Sequence, residues 1–381
     1  MTSQRQRSSV GRREIFGAVP PPLPEGCVSR ANRQYNKARM AGSAGRMRIA
    51  PDHMPEPDLD IPLNLQPDPD DYSYDLDTAL RAVVGLRATV PSDAFTAETL
   101  GTERTGSGVA ITAPGAPDGL VLTIGYLITE AETVWLTTID GRVVPGHALA
   151  YDQASGFGLI LALGKLDVQP LELGDSDAAS LGTTVVMAAG SGRARAMETK
   201  LVGRQEFAGY WEYLLDEAIF IAPAHPFWSG AGLIGPDGKL IGTGSLILQQ
   251  GDGAGHRADM NMVVPIALLR PILDKMLTTG TSGQPPRPWL GLFVMESEGG
   301  LVVGGMADGG PAERAGIRAG DRITGVGDED VSEVAALWRQ VWAAGRPGVQ
   351  VRLQLARDDS QLTVRVTTSD RTKFLRTPLM H

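Results

Sequence analysis

The chain has 381 residues, a formal net charge of −9, 47 glycines, 26 prolines and a single cysteine. The length predicts about two or three domains, and the glycine and proline content favours turns and short strands over long helices. The negative charge argues against a nucleic-acid-binding protein, because phosphate contacts require a basic surface. The lone cysteine, Cys27, excludes a disulfide within one chain.

The N-terminal region has the composition of a solvated segment. Residues 1–50 are rich in arginine, residues 51–80 are acidic, and neither stretch shows apolar periodicity. We therefore predict a disordered region over residues 1–77. Its basic part could fold over the acidic part or contact an anionic partner, but a solvated tail is the simpler interpretation.

The same features predict where the protein resides. No window of about 18 apolar residues is present, so we expect no membrane span. The first residues lack the apolar core of a secretory leader, since prolines interrupt the tract 14–26. These observations predict a cytoplasmic chain, and a periplasmic one only if the start of the sequence is misassigned.

Short apolar runs begin near residue 105 and continue to about 265. They lie at 107–112, 119–128, 133–139, 158–163, 184–189, 218–222 and 239–248. Such repeated short strands predict an all-β sandwich or barrel. A helix is expected over 266–280, with Pro271 marking its start or a kink and Gly280 its end.

A linker at 281–288 and a second small domain at 289–370 complete the chain, with a tail at 371–381. The second domain is predicted to contain a helix at 332–345 and two strands at 349–356 and 361–368. Apolar and polar residues alternate in the last strand, which is typical of a half-buried strand. The first folded domain is expected over 78–280.

The run 310-GPAERAGIRAGDRITGVGDEDV-331 closely resembles the PDZ domains of bacterial HtrA/DegP-type proteases. The segment 289-WLGLFV-294 resembles the carboxylate-binding loop and first groove strand of that family. The resemblance implies that the N–H groups of Leu290, Gly291 and Leu292 bind the C-terminal carboxylate of a peptide, while the strand edge pairs with it. The alternative is a PDZ fold with a closed or unused groove.

The protease domain of the same family is also visible upstream. The matching segments are 106-GSGVAI-111, 140-DGRVVPGHALAYD-152, 171-LELGDSDAASLGTTVVMAAG-190 and 261-NMVVPIALL-269. The resemblance, which covers roughly 105–370, implies a mainly β chain. The implied chain has a trypsin-like double six-stranded barrel followed by a small α+β PDZ domain. The resemblance further implies a possible homotrimer.

The catalytic positions depart from the family pattern. Ser229 stands at the position of the nucleophile, but Tyr126 stands at that of the histidine and Gly156 at that of the aspartate. A serine needs a neighbouring base to become nucleophilic, and a phenol with a reference pKa of about 10 is not such a base. Phe227 replaces the glycine that supplies one oxyanion N–H in the family, which threatens the oxyanion hole as well.

Other groups could compensate for these losses. The histidines are His53, His147, His225, His256 and His381. Only His225, four residues before Ser229, is a candidate base, and a loop histidine bonded to backbone is the simpler interpretation. The aromatic tract 207–220 could line a peptide cleft or a trimer contact, although ordinary barrel packing is favoured.

No cofactor or metal site is expected. The acidic cluster 68–77 lacks the turn glycine and closing glutamate of a calcium loop. The sequence also lacks a set of Cys and His residues with the spacing of zinc ligands, and it lacks a phosphate-binding loop.

Three functions remain possible. The favoured one is a catalytically inactive HtrA-like protein that binds peptides or protein C-termini as a scaffold, chaperone-like or regulatory module. The second is an active or conditionally active serine endopeptidase with a non-standard base, working in protein quality control. The third is a structural assembly protein that uses the PDZ groove and the tails for oligomerisation.

Overall fold

The structure, a computed structural model, describes residues 61–251, 257–297, 300–358 and 360–376. Residues 1–60, which carry most of the predicted disordered region and Cys27, lie outside the described residues, as do His256 and His381. None of the described helices is long and apolar enough to cross a membrane.

The first barrel combines fully buried strands with strands that bury alternate side chains. Its strands are β1 (Val83–Thr89), β2 (Glu103–Thr112), β3 (Leu120–Ile124), β4 (Thr133–Thr137), β5 (Val143–Tyr151), β6 (Phe157–Ala162) and β7 (Leu171–Glu172). The order is β1-β4-β5-β6-β3-β2, and β1 also pairs with β2, which closes six strands. In β4, Val134 and Leu136 point into the core while their neighbours are exposed.

The second barrel is also six-stranded and closed. It comprises β8 (Thr184–Ala188), β9 (Ala196–Gly209), β10 (Tyr213–Ala222), β11 (Gly232–Ile234), β12 (Leu240–Gly251) and β13 (Arg257–Pro265). The strands β9 and β10 are long, and they pair up to the contact between Gly209 and Tyr213. Residues 210–212 therefore form the tip of a hairpin.

Short helices flank the barrels. They are α1 (Leu76–Arg81), α2 (Ala97–Leu100) and α3 (Leu273–Thr279). The helix α3 ends at Gly280, which adopts the left-handed conformation with φ 72°. That ending agrees with the predicted stop, and the start after Pro271 agrees with one of the two predicted roles of that proline, while the preceding residues Ile266–Leu268 form a 3-10 turn.

Residues 61–77 differ from the disordered region predicted there. They form 3-10 turns at Leu63–Leu65 and Pro69–Asp71 and lead into α1. Ile61 and Leu76 are almost completely buried. Two widely spaced apolar residues give no periodic signal in a sequence, yet each can dock onto a barrel that is already formed.

The small C-terminal domain packs a sheet against one main helix. Its elements are β14 (Leu292–Ser297), β15 (Gly300–Met306), α4 (Pro311–Arg314), β16 (Arg322–Val326), β17 (Glu329–Asp330), α5 (Val334–Ala343), β18 (Gln350–Arg357) and β19 (Ser360–Thr367). Trp338 of α5 is fully buried in its core. Asp321, 2% exposed, receives two hydrogen bonds of 2.7 Å from the Arg357 guanidinium. The predicted fold class, a double barrel followed by a small α+β domain, is confirmed.

Candidate active site and peptide groove

Ser229 lies in the loop that joins β10 to β11. Its Oγ is 2.8 Å from the hydroxyl oxygen of Tyr126, and its carbonyl accepts a 2.8 Å hydrogen bond from the Ser107 N–H. Gly230 follows at φ 73°, and a Cβ there would lie 2.0 Å from the Ser107 carbonyl oxygen. Only glycine fits at that position, so strand β2 and Gly230 together fix the serine in place.

Tyr126 lies on the 3-10 turn Gly125–Leu127 that follows β3. Its hydroxyl donates to the Ser245 carbonyl at 2.8 Å. A phenol has one proton, so the Ser229 hydroxyl is the donor in the bond between the two side chains. Burial raises the pKa of Tyr126 to about 12. The neighbour of Ser229 is therefore a protonated phenol at neutral pH, which cannot remove the serine proton.

A buried arginine holds the turn that carries Tyr126. Arg104 is 4% exposed, and its Nη1 donates to the carbonyls of Tyr126 and Thr129 at 2.7 and 2.8 Å. Its Nη2 donates to Thr96 Oγ1 at 2.8 Å. Burial lowers the pKa of Arg104 to about 10, so the group remains charged at neutral pH. Arg104 thus holds the backbone of the turn through charge-assisted hydrogen bonds, while Ser229 and Ser245 hold the Tyr126 hydroxyl.

Gly156 faces this turn from the loop before β6. It has φ 84°, and its carbonyl accepts a 2.6 Å hydrogen bond from the Gly125 N–H. A Cβ at position 156 would lie 3.0 Å from the Tyr213 hydroxyl oxygen, and that hydroxyl donates to the Ser155 carbonyl at 2.7 Å. The space beside Gly156 is filled by Tyr213. Asp152, the nearest aspartate in sequence, accepts hydrogen bonds from the N–H and hydroxyl of Ser155.

The backbone before Ser229 is turned toward His225. The Phe227 N–H donates to His225 Nδ1 at 3.0 Å, so Nδ1 is unprotonated and Nε2 donates to the Arg195 carbonyl at 3.1 Å. His225 is fully buried, and burial lowers its pKa to about 4. The Phe227 N–H is therefore occupied and is not free to stabilise an oxyanion. His147 lies on β5 opposite Leu161. Among the described contacts, neither the His147 ring nor the His225 ring forms a hydrogen bond with Ser229.

The three predicted groove residues share one carboxylate. The N–H groups of Leu290, Gly291 and Leu292 donate to Glu212 at 3.1, 2.7 and 3.2 Å. Glu212 is 5% exposed. Burial raises its pKa to about 7, against the three N–H donors and the positive charge of Arg371, which lower it. The loop thus holds a side-chain carboxylate from the second barrel.

The structure therefore brings Tyr126 and Ser229 into contact, places Gly156 against the Tyr126 turn, and sets the groove loop apart from them. Sequence reasoning missed Arg104, Glu212 and Tyr213. Both Glu212 and Tyr213 lie in the aromatic tract 207–220, which was the only signal for them. Among the described residues, no cluster of His, Cys, Asp and Glu side chains is placed to hold a metal ion.

Comparison with known proteins agrees with both domains. Residues 106–242 match the family model of a trypsin-like peptidase domain, and residues 288–368 match that of a PDZ domain. The chain contains an HtrA/DegP-like trypsin-like serine protease domain followed by a C-terminal PDZ domain.

Several curated bacterial proteins are similar to the chain. The periplasmic pH-dependent serine endoprotease DegQ of Escherichia coli (strain K12) is 25% identical over 70% of this chain and 59% of its own length. A probable periplasmic serine endoprotease, DegP-like, of Chlamydia muridarum is 24% identical over 66% of this chain and 52% of its own. The chain thus spans about half the length of the curated relatives it matches.

Among solved structures, an HtrA-type protease AlgW with decapeptide is 20% identical over 80% of this chain and 99% of that one, with a TM-score of 0.46.

The names of the curated relatives bear on where the protein resides. Six of the matched relatives are named periplasmic, which contradicts the predicted cytoplasmic location. That prediction was drawn from the prolines that interrupt the apolar tract at 14–26.

Proposed function

We propose that this protein is a catalytically inactive HtrA-like protein of the bacterial periplasm that binds peptides or protein C-termini. In this proposal the barrels serve as a scaffold, and the PDZ domain supplies the binding site, in a chaperone-like or regulatory role. Serine endopeptidase chemistry needs a base at the serine, an orienting acid and an oxyanion hole. The proposal is that Tyr126 and Gly156 mark the lost base and acid.

The observation that carries the proposal is the contact between Ser229 and Tyr126. The serine proton is directed at a phenol oxygen, and the phenol proton is directed at the Ser245 carbonyl. Among the described residues, the groups bonded to the Ser229 and Tyr126 hydroxyls cannot accept the serine proton at neutral pH, since a protonated phenol and a carbonyl are both very weak bases. The occupied N–H of Phe227 supports the same conclusion for the oxyanion hole.

Cleavage of unfolded casein by the full chain tests the proposal. We expect turnover at the level of the Ser229→Ala variant, with no covalent labelling of Ser229 by a fluorophosphonate probe. An active serine protease in parallel confirms that the probe and substrate are competent. Casein turnover that disappears in Ser229→Ala would overturn the proposal, because removal of catalytic groups in such enzymes costs about 10⁴-fold or more in turnover.

A second candidate is an active or conditionally active serine endopeptidase. Its support is that matched relatives are named serine endoproteases and that Ser229 and Gly230 remain in the loop. In that case a bound peptide would have to move Tyr126 and give Ser229 a different base. Labelling of Ser229 by the fluorophosphonate only in the presence of peptide would favour this second candidate.

The homotrimer implied by the family resemblance also remains part of the proposal. Mass photometry of the full chain, with and without residues 1–60, distinguishes assembly through the folded domains from assembly through the N-terminal segment, and it leaves the docked residues 61–80 in place. A mass three times that of the chain in both samples supports a trimer formed by the folded domains.

A further inference from the structure

A hairpin of the second barrel contacts the predicted peptide groove of the PDZ domain. The tip of the β9–β10 hairpin enters the groove through three kinds of contact. Glu212 accepts the N–H groups of the carboxylate-binding loop at Leu290, Gly291 and Leu292. The Tyr210 carbonyl accepts a 2.8 Å hydrogen bond from the Val294 N–H on β14.

The third contact comes from the helix that forms the opposite wall. Trp338 Nε1 of α5 donates to the Gly209 carbonyl at 2.9 Å. The occupied positions therefore include the carboxylate loop, the edge of the first groove strand and the helix. A PDZ domain holds the C-terminus of a peptide through the first two of these features, by main-chain pairing and by capture of the carboxylate in a nest of N–H groups. The hairpin satisfies both from within the chain.

Charge and shape around the tip favour the docked arrangement. Arg339 of α5 forms ion pairs with Glu206 on β9, at 2.5 Å, and with Asp216 on β10. The Tyr210 ring lies edge-on to Phe293, with 6.0 Å between centroids. These contacts hold both strands of the hairpin against the PDZ domain, so the tip cannot leave the groove without breaking them.

The backbone at the tip is shaped to present the carboxylate. Glu212 has φ 59°, a conformation that residues other than glycine, asparagine and aspartate rarely adopt. Glycine would adopt it without steric cost. The Glu212 backbone is disfavoured and its side chain is buried, and the hydrogen bonds from residues 290–292 and the positive charge of Arg371 offset these costs.

We infer that the β9–β10 hairpin is an intramolecular ligand that closes the PDZ groove, with the Glu212 side chain in place of the C-terminal carboxylate of a peptide. An external peptide must displace the hairpin before it binds. The hairpin is covalently attached, so its effective concentration is high. The apparent affinity for any peptide is the affinity of the open form multiplied by the fraction of molecules that are open. The closure stands on the contacts themselves, while its effect on peptides rests on the proposed function.

The first test measures closure without any peptide. Hydrogen exchange of the amides of 289–294 is followed by mass spectrometry in the full chain and in Glu212→Gly, which removes the carboxylate and suits the left-handed backbone. The matched control is Glu217→Ala, an exposed glutamate on the same hairpin. We expect these amides to exchange about tenfold faster in Glu212→Gly than in the unmodified chain, and at an unchanged rate in the control. Equal exchange in all three proteins would overturn the inference.

The second test measures competition. A fluorescein-labelled heptapeptide ending in Val-Leu with a free carboxylate, and the same peptide as its C-terminal amide, are titrated into each protein. We expect Glu212→Gly to bind the peptide with the free carboxylate about tenfold or more tightly than the unmodified chain does. The affinity of Glu212→Gln, which keeps an acceptor oxygen, should lie between those two values. Equal affinity in the chain and Glu212→Gly contradicts closure. Faster exchange with no peptide binding by any variant supports closure and overturns the proposed peptide binding.

Discussion

Acidification should destabilise the loop that carries Ser229, because His225 is buried without a proton. His225 Nδ1 accepts the Phe227 N–H and Nε2 donates to the Arg195 carbonyl. A proton added at Nδ1 would face the Phe227 N–H, so a donor would replace the acceptor that this bond requires. The positive charge would also be enclosed in the barrel, where water cannot solvate it.

The size of the effect follows from the pKa. The value is 6.5 for an ordinary histidine and about 4 for His225 in the folded protein. Because one pKa unit equals about 1.4 kcal/mol, the difference corresponds to about 3 kcal/mol. A depressed pKa in the folded state means that this stability is complete above pH 6.5 and is lost progressively as the pH falls toward 4.

Urea unfolding at a series of pH values measures this loss. The full chain is compared with His225→Gln, in which the amide oxygen can still accept the Phe227 N–H but does not titrate. We expect the two free energies of unfolding to converge by about 3 kcal/mol as the pH falls through this range. His147→Gln, a control on β5, should keep the pH dependence of the unmodified chain. Parallel curves for the chain and His225→Gln would refute the argument.

Two further substitutions test other parts of the structure. Gly156→Ala should lower the unfolding free energy by about 1–2 kcal/mol, because φ is 84° and the new Cβ would lie 3.0 Å from the Tyr213 hydroxyl; in a double-mutant cycle, Tyr213→Phe should recover part of that loss, and additivity would contradict the steric contact. Asp321→Asn should destabilise the PDZ domain by about 2–3 kcal/mol in thermal unfolding, because the carboxylate is buried and bonded twice by Arg357. The exposed Asp330→Asn serves as its control, and equal melting temperatures would contradict this prediction.

Local signals in the sequence were sufficient to predict a mainly β chain, and the family resemblance added the double barrel and the PDZ domain. Short apolar runs bounded by glycine predict strands wherever they occur, and the run 310–331 is long enough to define a PDZ domain. The helix end at Gly280 follows from the conformational freedom of one residue. By contrast, residues 61–77 depend on a surface that exists only once the barrel has formed, and their own composition indicates a solvated segment.

Site residues could be predicted from the sequence only where a motif assigns a catalytic role to a single position. Tyr126, Gly156 and Ser229 could be placed by motif, and the structure sets the first and last in direct contact. The role of Glu212 could not be predicted, because its partners lie 78 to 80 residues away along the chain. In the sequence it is one acidic residue in an aromatic tract, and any exposed turn would look the same.

Glu212 and Tyr213 are consecutive, and their side chains leave the hairpin toward different places. One fills the PDZ loop, and the other fills the space beside Gly156. Glu212 ends the turn at the hairpin tip and Tyr213 begins β10, so we expect a movement of the tip that withdraws Glu212 from residues 290–292 to displace Tyr213 as well. The two contacts are then thermodynamically linked. A change that releases Glu212 from residues 290–292 should weaken the contact of Tyr213 beside Gly156, and the reverse should also hold.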